Sequence, residues 1–121
     1  MPQFIPKSPF EFILDQSCEE AAEIIQSAAK AKRFGLHHPY PRTGITNIAH
    51  LQNEIYDFVA CVKQLNAELE ALGEQPLRLF DAEAVQNKLD KMRKYSQMSI
   101  ELGLLSEPLA ECKLNILSGL G

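Results

Sequence analysis

Between Asn47 and Gly73 the apolar residues fall at Ile48, Leu51, Ile55, Phe58, Val62, Leu65 and Leu69, steps of three and four that wind into one stripe of an α-helix. Asn47 is a side chain suited to capping that helix, and the pattern runs to Leu72 before Gly73, about seven turns. A helix with a single long apolar stripe is stable only when that stripe is packed on something, so the rest of the chain must supply partner helices.

Two more helices are legible. Ser8-Pro9-Phe10-Glu11 reads as a capping box with proline at the first helical position, placing the start of the first helix near Pro9. Its apolar positions are Phe10, Ile13, Leu14, Cys18, Ala21, Ala22, Ile25, Ala28 and Ala29. Lys30, Lys32 and Arg33 load its last turn, and Gly35 supplies a left-handed stop. Asp81 caps a third helix over about Ala82 to Leu102, ended by Gly103, with Val85, Leu89, Met92, Met98 and Leu102 as its apolar positions. Residues 36–46, rich in Pro and Gly, read as a loop crossing the mouth of a site, and Pro108 suggests a short fourth helix over about Glu107 to Leu117. No alternating apolar stretch marks a strand. The expectation is an all-α bundle of three long helices plus that short C-terminal helix, one domain over 1–121, with 1–7 and 104–121 as flexible tails or packing arms. Long apolar helices with little else to cover them also predict self-association.

A chain of 121 residues should bury about two-thirds of its unfolded surface. Its net charge of -4 offers no basic field for a polynucleotide partner. Cys18, Cys61 and Cys112 are odd in number and show no zinc or redox spacing, so they read as small buried thiols in a reducing compartment. Met1 to Lys7 fits neither a signal peptide nor a transit peptide, no stretch reaches the length of a membrane span, and the expected location is cytoplasmic.

The chemistry lies in paired acids. Glu20 and Glu23 stand three apart on the first helix and Glu54 and Asp57 three apart on the second, so each pair shares a face, with β-carbons about 5–6 Å apart. On the first helix alone such a pair is a solvated surface. Glu54 and Asp57, however, are flanked by Leu51, Ile55, Phe58 and Cys61 on the most apolar helix, where ionised acids need a counter-charge. A hard divalent cation supplies it: Mg2+ takes oxygen ligands and keeps waters for a substrate, and Mn2+ fits the same ligands. Such an ion neutralises charge developing at phosphorus, and a carboxylate left over, Glu19 or Glu23, can serve as catalytic base toward water. Lys30 and Arg33 at the end of the first helix, and Lys88, Lys91 and Tyr95 on one stripe of the third, are candidate substrate-binding residues, although each lysine alone also fits an exposed charged face. His37, His38 and His50 lack zinc spacing; His50, one turn before Glu54, is within reach of a substrate or a carboxylate. Neither a phosphate-cradling glycine loop nor a nucleophile elbow occurs.

Glu20-x-x-Glu23 followed by Glu54-x-x-Asp57 resembles the signature of the MazG-like all-α nucleoside triphosphate pyrophosphohydrolase superfamily, which includes dimeric dUTPases and phosphoribosyl-ATP pyrophosphohydrolases. Glu19-Glu20-Ala-Ala-Glu23-Ile-Ile-Gln, Lys30-Ala-Lys-Arg33-Phe34-Gly35-Leu36, Thr43-Gly44-Ile45-Thr46-Asn47 and Leu51-x-x-Glu54-Ile55-x-Asp57 look most like the phosphoribosyl-ATP-pyrophosphohydrolase-like branch. Lys88-x-x-Lys91 and Lys94-Tyr95 look like that family's helix of phosphate and base contacts. The resemblance implies Mg2+-dependent hydrolysis of a nucleoside triphosphate or related nucleotide to the monophosphate and pyrophosphate, with Glu20, Glu23, Glu54 and Asp57 as metal ligands. It also implies phosphate contacts from Lys30, Arg33, Lys88 and Lys91, and a homodimer or dimer of dimers. Thirty residues, Ile24 to Asn53, separate the two acid pairs, at the long edge of the family's interval, so substrate choice does not carry over. The competing reading is a helical module that binds a nucleotide without turning it over, or that serves only protein interaction.

Overall fold

The computed structural model describes residues 4–112 and 114. Among these residues the chain is all-helical, with α1 over Pro9–Phe34, α2 over Asn47–Ala71 and α3 over Ala82–Glu101. The described residues include no strand and one isolated bridge, between Pro39 and Thr46 in the α1–α2 loop. The contacts divide into two compact units, Met1–Pro76 with α1 and α2, and Leu77–Gly121 with α3.

In the first unit the helix boundaries follow the local chemistry. Ser8 accepts the Glu11 amide at 3.1 Å, and its hydroxyl donates to the Glu11 carboxylate at 3.0 Å, a capping box in which the glutamate bonds the serine side chain instead of its backbone. Gly35 ends α1 with φ 96° and ψ 153°; φ is positive as expected, but ψ lies in the mirror-extended region open only to glycine. α2 is capped by Thr46, which accepts the Ala49 amide at 3.3 Å, and not by Asn47. Asn47 is the first helical residue, buried, and its side-chain amide donates to the Gly35 carbonyl at 2.8 Å. α2 closes in a Schellman turn, with Gly73 and Glu74 amides on the Glu70 and Leu69 carbonyls.

α1 and α2 form a hairpin. Asn47 meets Gly35 at the loop end, and Pro9 and Ile13 share a shallow cleft with Gln64 and Glu68 at the other, so the helices run antiparallel. On α1 the half-buried and buried positions include Ile13, Ser17, Glu20, Ile24, Ser27 and Ala31; on α2 they include Asn47, Leu51, Glu54, Phe58, Cys61 and Leu65. Both series step by fours and threes, the seam spacing of two helices packed side by side. This seam is rotated from the apolar stripe of the sequence: Ile25, Ile48 and Ile55 point to solvent, Ile25 at 69% exposure, while Ser17, Glu20, Ser27 and Glu54 face inward. Among the described residues the buried apolar core is correspondingly thin, Ile13, Ala31 and Leu65. Cys61 is half-buried but Cys18 and Cys112 are exposed, contrary to the expectation of buried thiols; Cys18 belongs to the outward apolar side of α1.

The loop between the helices is tied by its backbone. Tyr40 donates to the Ile45 carbonyl and accepts the Gly44 amide, each at 2.8 Å, while Asn47 and Ile48 amides reach back to His38 and Leu36. Gly44, at φ 72°, makes the reversal.

In the second unit Asp81 accepts the Ala84 amide at 2.9 Å and pairs with Arg78, and α3 ends in another Schellman turn at Gly103. Val85 and Leu89 are half-buried; Met92 and Met98 are exposed. Residues 107–112 and 114 are not helical, and the remainder of the helix expected over Glu107 to Leu117 lies outside the described residues. No helix among the described residues is long and apolar enough to cross a membrane.

Candidate functional site

The rotation of the hairpin seam places Glu20 and Glu54 inward at its middle. One carboxylate oxygen from each of Glu20, Glu23 and Glu54 lies within 4.8 Å of the others. Glu23, one turn on from Glu20, is exposed at the seam's edge but reaches the group. Asp57, the matching residue on α2, is exposed and outside this trio; its side chain is one methylene shorter. Its charge still acts on Glu54 and on Cys61.

The electrostatics are unfavourable as they stand. Burial first, then the Glu23 carboxylate at hydrogen-bonding range, and then the charges of Glu23, Asp57 and Glu20 hold the Glu54 carboxyl above its ordinary value of 4.5. Burial, followed by the charges of Glu20 and Asp57, likewise pushes the Cys61 thiol up. Glu20 receives one hydrogen bond, from Gln16 at 3.2 Å on Oε1. Its Oε2, the Oε2 of Glu54 and the Nε2 of His50 are the buried side-chain atoms among the described residues that have no hydrogen-bond partner. Buried polar atoms are almost always partnered, so these three in one region are unpaired groups that a bound cation or donor could satisfy.

The donors are all carboxylate oxygens, which suits a hard cation. Oxygens sharing one Mg2+ at about 2.1 Å stand about 3 Å apart when adjacent and no more than about 4.2 Å apart, so the trio within 4.8 Å would have to close by side-chain rotation to share an ion.

Glu23 and Glu54 also line a cavity of about 280 Å³ with Lys30, Tyr40, Arg42 and His50. Lys30 donates to the Tyr40 hydroxyl at 2.8 Å, and the Tyr40 and His50 rings pack with centroids 4.9 Å apart at 60°. Cations and carboxylates thus share one concavity, an arrangement that fits a polyanion bridged to the acids by a metal.

Of the other residues singled out by sequence, Glu19 is exposed, and its charge falls on Lys7, which itself pairs with Asp15. Arg33 is exposed, its guanidinium 5.8 Å from the Phe34 ring centroid. Lys88, Lys91 and Tyr95 are exposed along α3 in the second unit. Tyr40 and Arg42 were not singled out by sequence, because they enter the cavity through the loop's backbone fold; the dense Pro-Tyr-Pro-Arg run was the only signal. Among known proteins, no family model, no curated protein and no solved structure matches this chain.

Proposed function

We propose that the chain is a Mg2+-dependent nucleotide pyrophosphohydrolase of MazG-like type, cleaving a nucleoside triphosphate or related nucleotide to the monophosphate and pyrophosphate. The observation that carries this reading is the pair of orphaned inward oxygens on Glu20 and Glu54, grouped with Glu23 beside a cavity that also holds Lys30 and Arg42. Carboxylates alone would repel a polyphosphate, and lysine and arginine alone would not require buried acids; together they fit a metal–phosphate complex.

Glu20, Glu23 and Glu54 would hold the cation, with Asp57 adding its charge. Bound there, Mg2+ or Mn2+ would supply charge neutralisation at the phosphate oxygens and a lowered pKa for water. The protein's own part is to align the phosphate chain with Lys30 and Arg42 and to take a proton from the attacking water. Water oxygen bonds to phosphorus, the anhydride P–O bond breaks, and pyrophosphate departs with the bridging oxygen. We assign the base role to the second carboxylate oxygen of Glu23, the one not given to the cation, in preference to Glu19, because Glu23 lines the cavity.

The outward stripe of Leu14, Cys18 and Ile25 on α1 supports the companion proposal that the protein works as a homodimer or dimer of dimers. The test of function is pyrophosphate release across a panel of canonical and modified nucleotides with Mg2+, lost in Glu54→Gln with the fold intact. Tight nucleotide binding with no release from any member would assign the chain instead to a non-catalytic binding module.

A further inference from the structure

A second cavity of about 360 Å³ adjoins the first, and the two share Lys30, Tyr40 and Asn47. Their other walls differ in kind. The first is lined by the acids, Arg42 and His50, the second by Phe34, His38, Pro39 and Pro41. A charged compartment and an aromatic one meet at a lysine and a tyrosine. A ligand filling both must be a polyanion at one end and a flat apolar ring at the other. Each cavity alone is at the small end of the range for ligand sites, and joined they fall within it.

We propose that the compartment around Phe34, His38 and Tyr40 is the subsite for the heteroaromatic base of the nucleotide, with Phe34 as its stacking platform. The proposal rests on the nucleotide reading above and adds which end of the ligand lies where. The Phe34 and His38 rings are tilted at 31° with centroids 6.2 Å apart. A ring sandwiched between them would need about 7 Å, two van der Waals contacts of about 3.5 Å each, so the base lies on an outer ring face and is not intercalated. Phe34 is 56% exposed, so its ring is open to a ligand. Lys30, hydrogen-bonded to the Tyr40 hydroxyl at the boundary, stands where the sugar passes into the first phosphate. Stacking is tolerant of base identity, so this subsite favours nucleotides over bare polyphosphate without strongly choosing among bases.

Calorimetry on the full chain with saturating Mg2+ separates the two ends of the ligand, using inorganic tripolyphosphate and nucleoside 5′-(α,β-methylene)triphosphates, which resist cleavage. The nucleotide analogues should bind more tightly than tripolyphosphate. Phe34→Ala should weaken the analogues by about 5- to 150-fold, the range for one base–aromatic stack, and leave tripolyphosphate unchanged. Phe34→Tyr, which keeps the ring, should restore the affinity, and Arg42→Ala should weaken both ligands. Tripolyphosphate binding accompanied by nucleotide binding indifferent to Phe34→Ala, or loss of both ligands together in that variant, overturns the base subsite alone. Failure of even tripolyphosphate to bind with Mg2+ overturns the metal–phosphate reading and this proposal with it.

Discussion

Replacing Glu54 by glutamine should stabilise the protein in the absence of divalent cations and destabilise it, relative to the wild type, in their presence. Glu54 has two carboxylates within 4.8 Å, from Glu20 and Glu23. Two unit charges at the 4.8 Å upper limit of these separations repel by about 1 kcal/mol at the permittivity of water and about 3 kcal/mol at an effective value of 20. Glu23 is exposed and the pair is screened, so the lower figure applies, and removing both repulsions gains about 1–2 kcal/mol, several degrees in Tm for a chain of this size. The pH dependence has a definite sign. The folded carboxyl is held above 4.5, so the native state binds this proton more tightly than the unfolded chain. Stability from this group is therefore present below pH 4.5 and lost as pH rises through the folded value. The advantage of Glu54→Gln should be complete near pH 8 and vanish toward pH 4. With cation at a hundred times its dissociation constant, the wild type gains about 2.7 kcal/mol and the variant, lacking one ligand oxygen, much less, so the order inverts. Thermal melts followed by circular dichroism, in EDTA and in Mg2+, read both halves. A variant less stable than wild type in EDTA at pH 8, or equal stabilisation of both proteins by Mg2+, would refute the reasoning.

Other perturbations test the supporting structure. Asn47→Ala removes the buried bond to the Gly35 carbonyl at 2.8 Å and should cost about 1–3 kcal/mol in chemical denaturation, whereas substitution of an exposed α2 residue such as Gln52 should cost almost nothing. Iodoacetamide at pH 8 should alkylate Cys18 well before Cys61, whose thiol is half-buried and pushed up by burial and by Glu20 and Asp57; peptide mass spectrometry gives the order. Ile25→Glu, at a position 69% exposed on the outward stripe of α1, should leave the helix content intact and shift sedimentation toward the monomer.

How much of this was legible in the sequence depends on the range of the interaction. Helix ends were, because caps are local: Ser8 with Glu11, Asp81 with Ala84, and Gly73 and Gly103 act within one turn. Asn47 departs from its capping expectation because its side chain is recruited to a bond twelve residues away, which no turn-scale pattern reveals. The apolar stripe gave the helices but not their facing side, because the seam takes in Ser17, Glu20, Ser27 and Glu54 and leaves Ile25 and Ile55 outside. The acid pairs were visible as spacing, yet spacing treats Asp57 and Glu23 alike, and only the packed hairpin separates them, bringing Glu23 into the group and leaving Asp57 out. Tyr40 and Arg42 depended on the path of a loop set by backbone bonds around Gly44.

The central claim is that Glu20, Glu23 and Glu54 together hold a divalent cation. Crystals grown with Mn2+ and measured at its absorption edge test it most directly. The account predicts an anomalous peak bonded to oxygens of all three glutamates, lost in crystals of Glu54→Gln. Well-ordered carboxylates turned to bulk solvent, with no peak between them, would contradict it.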